Sequence, residues 1–84
     1  MYVDSLYAII NICFVKKDIL KIFGTRIKEL RLKKEWSQEV LAEKTGFHRT
    51  YIGMIERGER NLSLKNIEIF SEVFGLSISE LLKN

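Results

Sequence analysis

Arg49 and Thr50 sit next to each other in the middle of the chain, and both carry side chains suited to reading a hydrogen-bonding surface. An arginine fork donates two parallel bonds to the O6 and N7 acceptors of guanine, and a threonine offers its hydroxyl to a base edge or its methyl to thymine. Gly53, Met54 and Arg57 complete the set that remains once the apolar residues of the same segment are turned inward. This is chemistry of recognition. The chain has no nucleophile paired with a base, no Cys/His set at metal-ligand spacing and no Gly loop able to cradle a phosphate, so neither an enzyme, a metal nor a cofactor is expected. His48 has no partner in any motif. A single cysteine, Cys13, rules out an internal disulfide, so the fold rests on packing and a reducing, cytoplasmic setting is expected.

Elements that would hold Arg49 and Thr50 in place are marked at both ends. Four helix starts share one spelling: an apolar residue, a capping position, and a second apolar residue five places after the first. They are Trp36, Ser37 and Leu41; Phe47, His48 and Ile52; Leu62, Ser63 and Ile67; and Leu76, Ser77 and Leu81. The first and last members of each set form a hydrophobic staple that fixes the angle of entry into the helix, and Ser77 with Glu80 adds a capping box. Gly46, Gly58 and Gly75 each follow a periodic segment, where a left-handed residue closes a helix. Upstream, Asp18 can cap a helix whose apolar face is Ile19, Phe23, Ile27 and Leu30. The spacing predicts helices at 18–34, 37–45, 48–57, 63–74 and 77–83. Arg49 and Thr50 then lie in the first turn of the third helix. Val40, Leu41, Ala42, Ile52 and Ile55 are expected in the core, and residues Trp36 to Asn61 form a helix-turn-helix, a unit that presents one helix to a DNA groove.

Charge supports that reading once it is divided along the chain. Lys16 to Glu35 carries eight Lys or Arg against three acids, whereas Trp36 to Asn84 carries six against seven. Lys28, Arg31 and Lys33 point away from the apolar face of the first helix, so that helix can cross a phosphate backbone. The longest apolar stretch, Leu6 to Val15, has ten residues, against the roughly 20 a spanning helix needs. No membrane partner is expected. Residues 1–17 read as an N-terminal extension, an extra helix or an arm, on a domain covering 18–84. VKKDILKIFG would itself make a plausible beginning, so an upstream start codon is the other account of the leading fourteen residues.

Residues 18–84 resemble the phage-repressor type of helix-turn-helix regulator, and SQEVLAEKTGFHRTYIGMIERGERNLSL is similar to its core motif. The resemblance implies an all-α, compact five-helix lambda-repressor-like domain with the helix-turn-helix at helices two and three. RTYI followed by IERG and RN is closer still to the small controller proteins of restriction-modification systems. Position by position, the likeness implies Arg49 and Thr50 as base contacts, with Tyr51 at a phosphate or at the distorted centre of the operator. Backbone contacts would come from Gln38, which also buttresses helix three, and from Ser37, Lys28, His48, Arg57, Arg60, Asn61 and Ser63. Glu56 is expected to pair with a scaffold arginine, with Arg26 as the candidate. A phage-like repressor, an antitoxin, or an interaction module that kept the fold and lost the DNA are the rival readings.

Eighty-four residues make one small domain, and a chain of this size buries only about 60% of its unfolded surface. The last helices carry more apolar surface than one small core can cover. Phe74, Leu76, Ile78, Leu81 and Leu82 are therefore expected at a two-fold interface, which predicts a homodimer on a palindromic double-stranded operator with no small-molecule ligand.

Overall fold

Four helices open where a side-chain acceptor meets an otherwise unpaired first-turn amide. Ser37, Ser63 and Ser77 accept through Oγ from the amides of Val40, Asn66 and Glu80, each at 3.1 Å. Nδ1 of His48 does the same for Thr50 at 3.1 Å. The Glu80 carboxylate accepts in return from the Ser77 amide at 3.0 Å, completing the capping box. In the computed structural model, which describes residues 19–83, these caps start α2 (Gln38–Thr45), α3 (Arg49–Glu56), α4 (Leu64–Phe74) and α5 (Ile78–Leu81). Ahead of them α1 covers residues 19–33. The Asp18 cap and the proposed extension at 1–17 lie outside the described residues.

The ends of α1 to α4 are closed by left-handed residues. After α3 the amides of Gly58 and Glu59 donate to the carbonyls of Ile55 and Met54, both at 2.9 Å, with Gly58 at φ 74°. That is the pair of bonds that satisfies the last carbonyls of a helix. The same pair ends α1, where the amides of Glu35 and Trp36 donate to Leu32 and Arg31 at 2.9 and 3.1 Å. Here the left-handed position is held by Glu35, at φ 61°, a conformation a Cβ makes unfavourable.

The core is a single cluster of Phe23 and Ile27 from α1, Leu41 and Ala42 from α2, Ile52 and Ile55 from α3, Phe70 and Phe74 from α4, and Leu81 from α5. Phe23 meets Phe70 edge-on at 6.1 Å, and Phe47, in the turn before α3, lies against the same Phe70 ring at 5.4 Å. Trp36, expected only as a staple, also stacks on Phe74 at 5.7 Å and 20°, while Lys44 reaches over its ring at 4.8 Å. α1 approaches the end of α3 closely because Gly24 has no side chain. A Cβ there would stand 2.2 Å from the carbonyl oxygen of Ile55.

Several expectations need correction. Ile19, expected on the apolar face of the first helix, is exposed, because it is the first residue of α1 and stands one turn ahead of Phe23, where that face enters the core. Val40 is half-buried. Arg31, expected on the solvated basic face, is only 7% exposed. Phe74 and Leu81 were expected at a dimer interface, but the monomer uses both in its own core, at 5% and 0% exposure. Among the expected interface residues Leu76 is half-buried, and Ile78 and Leu82 remain open to solvent.

Candidate nucleic-acid interface

Everything that surrounds Arg49 and Thr50 is fixed from below. Ile52, Gly53 and Ile55 turn inward, leaving the two polar residues of the first turn exposed. The inner end of α3 is anchored by Glu56, whose carboxylate accepts from Nε and Nη2 of Arg31 at 2.7 and 3.0 Å, both side chains being nearly buried. Arg31 also donates through Nη1 to the Trp36 carbonyl at 2.8 Å, and Gln38 Nε2 donates to Glu56 at 3.0 Å. Three elements, α1, α3 and the first turn of α2, therefore meet on one carboxylate, and Gln38 does buttress α3.

Arg26, the partner expected for Glu56, lies five residues away on another side of α1. It donates instead to the carbonyls of Leu81 and Glu80, at 3.3 and 3.0 Å, and so ties α1 to the last helix. Arg31 was missed because it sits in a run of lysines and nothing in its spacing distinguishes it. A pairing across 25 residues leaves no local periodic signal.

Tyr51 is half-buried and held on three sides. Its ring meets Phe47 edge-on at 5.0 Å, the Arg60 guanidinium lies over its face at 5.4 Å, and its hydroxyl accepts from Asn66 Nδ2 at 2.8 Å. Accepting that bond leaves the phenolic proton free to donate outward. Asn66, on α4, thus holds a candidate residue in place, and nothing in its spacing along the chain signals that contact. Ser37 and Ser63 spend an oxygen lone pair on capping and keep their hydroxyl protons, while His48, Lys28 and Arg60 are all exposed.

Not every candidate joins this face on the same terms. Arg57, at the far end of α3, is gripped by Glu59 through Nε and Nη2 at 3.0 and 3.1 Å. Hydrogen bonding from Arg57 holds the Glu59 carboxyl below its ordinary range. Asn61 borders an apolar groove lined by Ile19, Leu20, Phe23, Leu62, Ile67 and Leu82. Arg49 makes a looser ion pair, with Nε 3.1 Å from Oε2 of Glu39 on α2.

Two helices joined by a tight glycine turn, the second with an open polar first turn, define a helix-turn-helix protein. The chain belongs to the helix-turn-helix family, whose profile matches residues 27–81. Among its relatives are two control proteins. C.BamHI of Bacillus amyloliquefaciens is 47% identical over 66 residues, covering 77% of this chain and 82% of the relative. C.SmaI of Serratia marcescens is 42% identical over 72 residues, covering 86% and 83%. Of solved structures, the restriction-modification controller C.AhdI from Aeromonas hydrophila superposes with a TM-score of 0.70 at 45% identity, over 74% of this chain and 94% of that one. The controller C.Esp1396I, solved as a tetramer with its natural 35 base-pair operator, gives 0.68 at 39% identity over 76% and 88%. No helix among the described residues is long and apolar enough to cross a membrane.

Proposed function

We propose that this protein is a sequence-specific DNA-binding transcription regulator that acts as a homodimer on a palindromic operator, and that it is the controller of a restriction-modification system. The observation that carries this reading is the first turn of α3, where Arg49 and Thr50 stand exposed on a helix otherwise packed and clamped. The likeness to control proteins, one of them captured on its operator, supports the more specific assignment.

In this reading Arg49 and Thr50 contact bases. Tyr51 donates its free phenolic proton to a phosphate or at the operator centre. Gln38, Ser37, His48, Lys28, Arg60 and Ser63 hold the phosphate backbone, with lesser parts for Arg57, which Glu59 already holds, and for Asn61. Phosphate contacts set the register, and base contacts discriminate. The dimer forms through Leu76, Ile78 and Leu82, and places its two copies of α3 roughly 34 Å apart, one DNA turn. No covalent step takes part, and the protein works in the cytoplasm.

Gel-shift titrations of the protein against the duplex immediately upstream of its gene, and against a scrambled duplex of equal composition, test the proposal. The upstream duplex should bind as a dimer complex, more tightly than the scrambled one, with affinity falling linearly in log salt. No salt-sensitive binding to either duplex at micromolar protein would overturn it.

A further inference from the structure

The two exposed arginines that bracket α3, Arg49 at its start and Arg57 just past its end, are held by carboxylates in different ways. Glu59 takes Arg57 through both Nε and Nη2, which uses one whole edge of the guanidinium. Glu39 takes Arg49 through Nε alone, at 3.1 Å. A guanidinium has five donor hydrogens in a fixed plane, so a partner at Nε leaves Nη1 and Nη2 free, side by side. Those two nitrogens are a pair of donors that O6 and N7 of a guanine can accept from together.

Glu39 has little else to do. It stands in the first turn of α2, a turn already capped by Ser37, and its side chain is 67% exposed against 56% for that of Arg49. Exposed pairs of this kind add little to folding. Its carboxyl is nonetheless kept below the usual range, first by its own backbone amide at the helix start and then by Arg49, so it is charged at neutral pH. A negative charge beside a base-reading arginine repels the phosphates of every duplex alike. It also opposes the registers in which Arg49 would be captured by a phosphate instead of a base.

We infer that Glu39 is a positioning and specificity-determining residue: it holds Arg49 by Nε with its terminal nitrogens presented to guanine, and weakens binding to duplexes that offer Arg49 only phosphate. This rests on the DNA-reading function proposed above. Its signature is a change in discrimination, not in stability.

The test uses the full chain, wild type and Glu39→Gln, Arg49→Ala and the double variant, each titrated against the upstream and the scrambled duplex over a series of salt concentrations. Glu39→Gln should bind scrambled DNA more tightly and lower the ratio of the two affinities about fivefold, the scale of one exposed charge pair. Arg49→Ala should then lower that ratio less in the Glu39→Gln background than alone, since the two residues act as one unit. An unchanged ratio in Glu39→Gln overturns the inference, as does a fall that adds fully to that of Arg49→Ala. A wild-type protein with no preference for the upstream duplex overturns the proposed function itself, which separates the two failures.

Discussion

At the scale of single residues the largest demand falls on Arg31. Its guanidinium and the Glu56 carboxylate are 8% and 3% exposed, and removing either leaves the other charged and buried without its partner. Arg31→Ala is therefore expected to cost about 3–5 kcal/mol, a large part of the stability of a domain this small, read as a fall in the urea midpoint. Arg49 is the opposite case: it is exposed, so on the proposed reading its replacement should have little effect on folding and a specific effect on binding. The two arginines look alike in the sequence, both lying in polar stretches of amphipathic segments. Arg49 was legible because a helix start precedes it at a fixed distance. Arg31 was not, because its partner is set by how α1 crosses α3, and that crossing depends on three-dimensional packing.

At the scale of elements, the caps and closing glycines that the sequence displays mark the helix bounds. The staples at Trp36 and Phe47, the serine caps and Gly46, Gly58 and Gly75 are local features, readable without knowing the fold, and the four helices after α1 start within one residue of their expected places. What local reading missed is inter-helical. Gly24 carries no turn signal, yet it sets the separation of α1 from α3, and Gly24→Ala should cost at least about 2–3 kcal/mol because the atom it meets is backbone and cannot swing aside. Circular dichroism during thermal unfolding would show the loss. Glu35 presents the reverse case, a side chain at a position that favours glycine, which spacing could not reveal because the residue type gave the wrong cue. Glu35→Gly should raise stability by about 0.5–1 kcal/mol, the left-handed strain relieved being partly offset by the freer unfolded chain, and a higher urea midpoint at unchanged slope would register it.

At the scale of the whole molecule, the basic field is smaller than the charge count of Lys16 to Glu35 suggests, because Arg31 is paired with Glu56, while Arg26 is engaged by the carbonyls of Leu81 and Glu80. The apolar surplus at the C-terminal end is smaller too, since Phe74 and Leu81 belong to the core. Affinity then rests on the exposed cations that remain. Lys28→Ala and Arg60→Ala should each weaken binding to upstream and scrambled duplexes alike and reduce the log–log salt slope by roughly one, measured by fluorescence anisotropy across a salt series. On the proposed reading specificity rests elsewhere, on the first turn of α3, and the two should separate by mutation. The most direct measurement is the affinity of Arg49→Ala for the upstream and the scrambled duplex, side by side with wild type. A loss of about 1–3 kcal/mol on the upstream duplex with little change on the scrambled one is the expected result. Equal losses on both would contradict the claim that this turn reads sequence.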